Sequence, residues 1–429
     1  MVQRIKTDMA TLKLSTFADT LIASEIVRLG AKIKEKMRSG EKIYNFTIGD
    51  FDPEIFPIPE MLEKEIITAY LNRQTAYPAA EGELDLREAV SAFIKRYLDI
   101  EFSPQEVLIS CGGRPLIYAA YRTVVDPGDK VIYPVPSWNN NHYVHFNHGV
   151  HIPIEATAEN NFMPTAAQLE PHIKGAAMVA ICSPLNPTGT TIKKEELEKI
   201  CDLIIAENAT RGAHEKKLYL LYDQIYWTLT YGNTQHYNPV SLRSEMKNYT
   251  IFIDGISKSF ASTGVRVGWA LGPEEVMVKM RSLNSHVGSW APMAEQKAVA
   301  KFLRNDVAVD EYLDKFKKRI EQRLRQIHEG LQQLKEDGLP VDSISPQAAI
   351  YLTMKVDLAG KKTAEGQLLE NQDQVTAYIL NEAKLAIVPF YAFGAASDSA
   401  WYRLSVGTCK TLEIPAMLEG LKNAILKLS

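Results

Sequence analysis

Cysteines are few in this sequence, and long apolar runs do not occur. The 429 residues include four cysteines, which are spread along the chain without a CxxC pair. Neither a zinc site nor a disulfide framework is therefore predicted, and a reducing compartment fits best. Charged residues such as Lys6 and Asp8 interrupt the N-terminal segment, which excludes the unbroken apolar stretch of a signal peptide. No run is long enough to span a bilayer, so we expect no membrane partner.

Charge and composition exclude further classes of protein. The 48 Lys and Arg residues nearly balance the 52 Asp and Glu residues, which gives a net charge of −4. Nucleic acid and anionic membranes are poor partners for such a chain. With 24 glycines, 21 prolines and 46% hydrophobic residues, the sequence is not of low complexity and can bury a large core. We expect a globular cytoplasmic protein of two or three domains.

Helical and strand-like patterns alternate through the first part of the chain. Residues 17–38 have helical spacing, and the segment IYNFTIGD after them is typical of a strand that enters a proline-rich loop. Helical patterns recur at 59–71, 84–98 and 114–125. Around them lie the short apolar runs VLIS, KVIYPV, GVHIPIE, AMVAIC, KLYLLYD and IFIDGIS. This alternation predicts an α/β fold whose large domain holds a mostly parallel sheet flanked by helices.

The pattern changes after a long amphipathic helix that is predicted from about residue 306 to residue 336. The strand candidates AIYLTMKV, AIVPF and YRLSV then occur with helical patterns at 372–384 and 411–427, which predicts a smaller α+β domain. We therefore divide the chain into an N-terminal arm with part of the small domain (1–55), a large domain (56–320) and a C-terminal small domain (321–429).

The segment DGISKSFASTGVRVGWALGP, residues 254–273, is the sharpest candidate for a functional site. Lys258 follows the predicted strand IFID in a loop of small residues, and Arg266 lies between Gly264 and Gly268. Small residues allow a planar group to approach the backbone, and a lysine held there can form an imine with an aldehyde cofactor. A plain strand and turn with a solvated lysine explains this segment equally well when it is taken alone.

Two further segments place polar side chains after predicted strands. Asp223 and Tyr226 follow the apolar run LYLLY, at the edge where open α/β sheets bind ligands. A helix-capping aspartate and a core tyrosine would explain the same two residues. Asn186 lies in CSPLNPTGT, which also suits an ordinary turn before a helix.

A strand-to-helix junction predicts an anion site. The run VLIS is followed by Gly112 and Gly113, and a helical pattern begins at Arg114. Free backbone N–H groups and the helix dipole at such a junction suit a phosphate. The Gly-Gly pair alone is weak evidence. The Gly-Gly pair is followed along the chain by PSW, CSPLNPTGT, LYLLYD and the lysine loop. This order of segments is far more specific than any one of them.

In these segments the sequence resembles the class I/II aminotransferases, the fold-type-I enzymes that use pyridoxal 5′-phosphate (PLP). The resemblance covers nearly the whole chain, from IGDFDP through AYPAAEGELDLREA (76–89) to WYRLSVG (401–407). Within that family, GGR after the strand and the lysine segment are most similar to bacterial aspartate aminotransferases. The resemblance implies a PLP-transferase fold of type I, in which the large domain binds the cofactor.

The resemblance implies roles for the residues that would contact the cofactor ring. Lys258 would bind the cofactor as an imine and move a proton between the substrate Cα and the cofactor. Asp223 would pair with the protonated pyridine nitrogen, which makes the ring a better electron sink. Tyr226 and Asn186 would hydrogen-bond the phenolic O3′ and lower the pKa of the imine. Trp138 would stack on the ring face.

The resemblance also implies how the cofactor phosphate is held. The phosphate would lie against Gly112, Gly113 and Arg114, and Arg266 would add a charge-assisted hydrogen bond. A family tyrosine at the position of Tyr77 reaches this phosphate from the neighbouring subunit, which implies a homodimer. Many relatives have a serine where Gly255 stands, so Ser257 is the candidate for a hydroxyl contact to the phosphate.

For the substrate, the resemblance implies that Arg403 clamps the α-carboxylate in a bidentate fork, with Gly49 and Asn186 beside it. Arg114 occupies the place of a family lysine that meets the distal carboxylate of a dicarboxylic substrate. We therefore expect a homodimeric PLP aminotransferase that prefers aspartate or glutamate and a 2-oxo acid. Arg114 could instead neutralise the phosphate or lie at the start of the helix.

Other functions stay open at the level of sequence. An aromatic or neutral amino donor would fit if Phe51, Phe56, Trp290 and Tyr391 lined an apolar pocket, and a PLP lyase or decarboxylase could use the same fold. A PLP-binding regulator would need a DNA-binding module, for which the arm before Gly49 is too short and not basic enough. No metal site is predicted, because Gly149 interrupts the histidines that recur every three residues, namely His142, His145, His148 and His151.

Overall fold

The computed structural model describes residues 14–21 and 25–429, and two larger β-sheets organise them. Numbered along the chain, the strands are β1 (Tyr44–Asn45), β2 (Val107–Ser110), β3 (Lys130–Val135), β4 (Val150–Glu155), β5 (Ala176–Cys182), β6 (Tyr219–Asp223), β7 (Thr250–Gly255), β8 (Gly268–Leu271), β9 (Val341–Ser343), β10 (Tyr351–Val356), β11 (Leu385–Ala386), β12 (Val388–Pro389) and β13 (Trp401–Ser405).

Helices surround both sheets. The α-helices are α1 (Thr16–Asp19), α2 (Glu25–Arg38), α3 (Glu60–Leu71), α4 (Leu84–Leu98), α5 (Gly113–Val124), α6 (Asn140–Phe146), α7 (Ala166–Ile173), α8 (Lys194–Thr210), α9 (Pro239–Leu242), α10 (Ile256–Ser259), α11 (Glu274–Val287), α12 (Met293–Leu303), α13 (Asp306–Glu336), α14 (Gln372–Glu382) and α15 (Ile414–Leu426). Short 3-10 helices occur at Pro104–Glu106, Ala158–Asn160, Ser244–Asn248, Phe390–Phe393 and Thr411–Glu413. None of the described helices is long and apolar enough to cross a membrane.

The large sheet has seven strands in the order β2-β8-β7-β6-β5-β3-β4. Only β8 runs antiparallel to its two neighbours; the other pairs are parallel. Strands β5 and β7 are buried along nearly their whole length, as expected for a sheet with helices on both faces. The predicted α/β fold with a mostly parallel, helix-flanked sheet is confirmed.

The second sheet has four antiparallel strands in the order β12-β13-β10-β9, and its buried residues form a separate hydrophobic cluster with α13, α14 and α15. The short strands β1 and β11 pair beside it. Helix α13 runs unbroken across the boundary predicted at residues 320 and 321. The three-part division of the chain stays a prediction.

Some elements differ in detail from the sequence patterns. Of IYNFTIGD only Tyr44–Asn45 is paired, and AIVPF is divided between β11 and β12. The sequence pattern did not predict β8 as a separate strand, because β8 lies within the glycine-rich segment 254–273 that contains Lys258. The helical pattern at 17–38 becomes α1 and α2, and the part at 22–24 lies outside the described residues.

Candidate active site

A cavity of about 590 Å³ lies at the carboxyl ends of β5, β6 and β7, where parallel strands leave their polar ends together. Residues of β10, β13 and α5 complete its wall. The cavity brings together most of the residues predicted from the sequence, namely Gly49, Gly113, Arg114, Trp138, Asn186, Asp223, Tyr226, Ser257, Lys258, Arg266 and Arg403.

Lys258 extends from the short helix α10, directly after β7. Its Nζ donates a hydrogen bond to the carbonyl oxygen of Gly49 at 2.5 Å. Burial lowers the pKa of Lys258 to about 8, and the nearby arginines add to that effect while Asp50 opposes it. Near pH 8 about half of the amine is therefore neutral and nucleophilic.

Asp223 ends strand β6 at the floor of the cavity. Its Oδ1 accepts a hydrogen bond from the backbone N–H of Ile225 at 3.1 Å, and no cationic residue of the described chain pairs with it. Burial raises the pKa of this carboxyl to about 6, and the hydrogen bond from Ile225 only partly opposes that rise. A cationic group in the cavity would be a favourable partner for such a carboxylate.

Arg403, on β13, is buried between two aromatic rings. Its guanidinium carbon lies 4.8 Å from the ring centroid of Tyr351 and 4.9 Å from that of Phe393. Nη1 donates to Asn186 Oδ1 at 3.0 Å, and Nη2 donates to the carbonyl oxygen of Thr47 at 2.7 Å. Within the described part of the chain, Arg403 Nε has no hydrogen-bond partner. This guanidinium has spare donors for an anion that enters the cavity.

The bond from Arg403 also fixes the amide of Asn186. Because Oδ1 accepts from the arginine, the Nδ2 group is left to donate into the cavity. Asn186 lies in the turn after β5, where Gly189 allows a close approach of the chain to β10. A Cβ at Gly189 would lie 2.2 Å from the carbonyl oxygen of Tyr351, so a side chain there would force the two segments apart.

The junction of β2 and α5 forms a cradle beside Arg266. Gly112 has a φ of 97°, and a Cβ on it would lie 2.3 Å from Arg266 Nη2. A residue with a side chain at this position would therefore displace the guanidinium. Arg266 donates to the carbonyl oxygens of Cys111 and Thr263 at 2.8 and 2.6 Å. The N-terminus of α5 and this guanidinium together suit a phosphate group.

Arg114 and Trp138 form another wall of the cavity. The guanidinium carbon of Arg114 lies 5.3 Å from the Trp138 ring centroid, within the range of a cation–π contact. Ser257 also lines the cavity, whereas Gly255 leaves no room for a side chain. A Cβ at Gly255 would lie 2.7 Å from Gly268 Cα, which explains why a serine cannot stand there.

Tyr77 is the predicted site residue that lies apart from the rest. Its side chain is 85% exposed, and its ring meets the ring of Trp290 edge-on at 5.3 Å. The residue does not line the cavity of its own chain. Its predicted contact with a phosphate in a neighbouring subunit stays a prediction.

The cavity also contains residues that the sequence patterns did not indicate. Tyr351 forms a hydrogen bond of 2.7 Å with Tyr226 through their hydroxyl groups. Asp50 Oδ1 accepts from Thr263 Oγ1 at 2.6 Å and lies near Lys258. Cys182 pairs with Asp223 across β5 and β6 and lines the same wall. Asp50 was visible in the quoted IGDFDP segment, but Tyr351 lay in a run that was interpreted only as a strand.

The chemistry of these side chains fits PLP. The cofactor needs an amine for its aldehyde, a carboxylate for its ring nitrogen and donors for its phosphate. Lys258 supplies an amine with a lowered pKa, and Asp223 supplies a carboxylate without a cationic partner among the described residues. Arg266 and the glycine junction at Gly112 supply the anion cradle. The residues present would therefore hold this group.

Comparisons with known proteins agree with this geometry. The model of the family aminotransferase class I and II matches residues 41–421. The aspartate aminotransferase of Bacillus sp. (strain YM-2) is 30% identical over 395 residues, which cover 92% of this chain and 94% of that protein. The probable aspartate/prephenate aminotransferase of Aquifex aeolicus is 27% identical over 374 residues, with coverage of 87% and 89%.

Solved structures show the same fold. The aspartate aminotransferase of Rhizobium meliloti superposes with a TM-score of 0.87 at 26% identity, covering 97% of this chain and 100% of that one. The enzyme of Thermus thermophilus solved with maleate gives a TM-score of 0.84 at 26% identity, with coverage of 96% and 100%. The family match and the cavity lead to the same conclusion: the chain belongs to the class I and II aminotransferases and is a PLP-dependent enzyme that moves amino groups between amino acids and 2-oxo acids.

Proposed function

We propose that the enzyme transfers the amino group of L-aspartate or L-glutamate to a 2-oxo acid such as 2-oxoglutarate. The observation that carries this proposal is that the cavity holds two arginines, Arg403 and Arg114, besides Arg266 of the phosphate cradle. Each arginine can bind one carboxylate through its planar fork, and a dicarboxylic substrate has two. The relatives named as aspartate aminotransferases and the maleate complex of the Thermus enzyme support the same substrate class.

The aromatic alternative has less support in the cavity. Phe51, Phe56, Trp290 and Tyr391 are the residues that would have formed an apolar substrate pocket, and none of them lines the described cavity. Phe51 and Phe56 pack against Phe316 in the second hydrophobic cluster, and the centroid of the Phe51 ring also lies 5.7 Å from Lys258 Nζ. One relative is named a probable aspartate/prephenate aminotransferase, so prephenate is a second, bulkier candidate for the amino acceptor.

The catalytic roles that we propose follow from the contacts around the cavity. When bound, PLP supplies an aldehyde that condenses with the donor amine and a ring that withdraws electrons from its Cα. Lys258 Nζ acts as the base that removes the Cα proton, because its lowered pKa keeps part of the amine neutral. Asp223 would hold the proton on the pyridine nitrogen. Tyr226 Oη and Asn186 Nδ2 would donate to O3′, and Trp138 would cover the ring.

The phosphate cradle would hold the anionic end of the cofactor, and the arginines would hold the carboxylates of the substrate. Gly113 and Ser257 would bind the phosphate with Arg266, whose side chain is already fixed by two backbone carbonyl oxygens. Gly112 donates its N–H to the carbonyl oxygen of Ser110 at 2.7 Å and would serve the cradle by leaving room for Arg266. Arg403 binds the α-carboxylate with its spare N–H groups, beside Gly49 and Asn186. Arg114 binds the distal carboxylate of the substrate. Holding both ends fixes the Cα–H bond relative to Lys258.

We further propose that the enzyme is a homodimer in which Tyr77 completes the site of the partner subunit. The exposure of Tyr77 and its position outside its own cavity support this arrangement. A cytoplasmic location belongs to the same proposal and is supported by four free cysteines. The proposed division into arm, large domain and small domain is supported by the two separate sheets.

A panel of amino donors tests the substrate proposal. With the PLP-loaded enzyme, aspartate and glutamate should remove the absorbance of the bound aldehyde and release one 2-oxo acid per site. Arg114→Ala should reduce kcat/KM for aspartate by roughly 30-fold or more, because a desolvated charge pair is lost, and should affect alanine or phenylalanine far less. Arg122→Ala, on the same helix but outside the cavity, is the matched control.

Two outcomes would contradict the proposal. If Arg114→Ala reduces the efficiency for all donors equally, Arg114 serves the cofactor or the fold rather than the distal carboxylate. If the donors yield carbon dioxide or ammonia without a matching 2-oxo acid and without conversion of the cofactor to its amine form, the reaction is a lyase reaction.

A further inference from the structure

Tyr351 is held on three sides at the centre of the cavity. Its hydroxyl lies 2.7 Å from the hydroxyl of Tyr226, and its ring lies 4.8 Å from the guanidinium carbon of Arg403. A Cβ added to Gly49 would lie 2.8 Å from the Tyr351 hydroxyl, so a larger residue at position 49 would clash with the phenol. Tyr351 is also 2% exposed, which leaves its side chain little freedom to move.

Each phenol has one proton, and either hydroxyl of the pair can donate to the other. Burial raises the pKa of both tyrosines, and it raises that of Tyr226 well above its usual range. For Tyr351 the charge of Arg403 is the largest influence that opposes burial. If Tyr226 donates its proton to the cofactor O3′, as proposed above, Tyr351 must be the donor between the two hydroxyls and Tyr226 Oη accepts.

We propose that Tyr351 is a positioning residue of the transamination site, which orients Tyr226 through its hydroxyl and Arg403 through its ring. The inference rests on the proposed function, in which Tyr226 donates to the cofactor O3′ and Arg403 binds the α-carboxylate. A phenol that accepts a hydrogen bond becomes a stronger donor, so Tyr351 strengthens the bond from Tyr226 to O3′. One side chain thus supports both the cofactor contact and the substrate clamp.

The titratable and charged groups that face Tyr351 come from several elements. Tyr226 follows β6, Arg403 belongs to β13, Cys182 ends β5 and Asp50 precedes the proline-rich loop. Lys258 reaches the same place through its hydrogen bond to Gly49. A pH titration of the loaded enzyme reports on all of these groups, so the hydroxyl of Tyr351 must be tested by a substitution that leaves the others in place.

The test compares pH titrations of the absorbance of PLP bound to the enzyme and its variants. Tyr226→Phe should move the midpoint to higher pH by about 1–2 pH units, because O3′ loses a donor and holds the shared proton more tightly. Tyr351→Phe should move the midpoint in the same direction by about 0.1–0.6 pH units, since cooperative strengthening is roughly 10–30% of the bond itself. Tyr402→Phe is the control. It removes a buried hydroxyl that bonds Gln372 Oε1 at 2.9 Å, outside the cavity.

Steady-state kinetics separate the ring from the hydroxyl. Tyr351→Phe keeps the ring over Arg403, so the KM for the amino donor should stay within about twofold of the wild-type value. Tyr351→Leu removes the ring, and the KM should rise roughly tenfold or more as the cation–π contact is lost in a desolvated site.

The outcomes distinguish this inference from the function on which it rests. If Tyr226→Phe moves the midpoint and Tyr351→Phe leaves it at the wild-type value, the inference is overturned while the proposed function stands. A Tyr351→Phe shift that equals the Tyr402→Phe shift would overturn the inference in the same way. If neither Tyr226→Phe nor Tyr351→Phe moves the midpoint, Tyr226 does not contact the cofactor and both proposals fall.

Discussion

Replacing Asp223 with asparagine should stabilise the cofactor-free protein while it weakens cofactor binding. The carboxyl group lies at the floor of the cavity, and Ile225 donates its backbone N–H to it at 3.1 Å. Burial raises the pKa of this group from 3.8 to about 6. Asparagine keeps the shape and the acceptor oxygen of aspartate and carries no charge.

The magnitude follows from the two pKa values. Above pH 3.8 the unfolded chain releases a proton that the folded protein keeps until about pH 6, so stability falls as the pH rises through this window and is constant above it. The full difference corresponds to roughly 3 kcal/mol, which solvent screening in the open cavity reduces to about 2 kcal/mol. At pH 4.5 less than about 1 kcal/mol of this penalty has developed.

Thermal unfolding of the cofactor-free protein measures this difference. With an unfolding entropy of about 2.1 cal/mol/K per residue, a gain of about 2 kcal/mol should raise the Tm by roughly 2 °C at pH 7.5 and by much less at pH 4.5. Asp314→Asn serves as the control. Asp314 is exposed and pairs with Lys318 at 2.7 Å, so its loss should change stability by less than about 1 kcal/mol at both pH values.

A gain that is the same at both pH values, or no gain at pH 7.5, would show that the ionised Asp223 carboxylate does not destabilise the cofactor-free protein. Addition of PLP supplies the second arm of the experiment. The wild-type protein should gain stability from PLP because Asp223 then has a cationic partner, and the variant should gain markedly less. An equal gain in the two proteins would remove Asp223 from the cofactor site.

The remaining predictions concern Lys258 and Tyr77. The rate at which the cofactor-free enzyme captures PLP should rise with pH and level off above about 8, because burial lowers the pKa of Lys258 to about 8 and only the neutral amine attacks. Stopped-flow absorbance measures it, and a midpoint near 10.5 would contradict the burial of the amine. Mixing inactive Tyr77→Ala and Lys258→Ala variants should restore activity through hybrid dimers with one intact site. Sedimentation velocity that shows only monomers would exclude the formation of such hybrid dimers.

The chain pattern predicted the large sheet and the residues at its carboxyl edge. Strand β3 occupies the predicted run KVIYPV, and β6 ends at the predicted Asp223. Parallel strands bring their carboxyl ends to one edge whatever the details of packing, so Asp223, Asn186 and Lys258 could be placed together from local patterns.

Contacts made across long sequence separations could not be predicted in this way. The bond from Arg403 to Asn186 joins residues 217 positions apart, and the bond between Tyr351 and Tyr226 joins residues 125 positions apart. Both depend on how β10 and β13 of the second sheet dock on the first, which no local pattern specifies. For the same reason the alternation of the run AIYLTMKV predicted a strand without indicating that its tyrosine enters the cavity.

Identification of the lysine that binds PLP shows whether Lys258 carries the cofactor. The loaded enzyme is reduced with borohydride, digested and mapped by mass spectrometry, with Lys297 and Lys301 of α12 as internal references. We expect a single pyridoxyl label per chain, on Lys258, and no label in a Lys258→Ala variant treated in parallel. A label on another lysine, or an unlabelled protein that still transfers amino groups, would contradict this expectation.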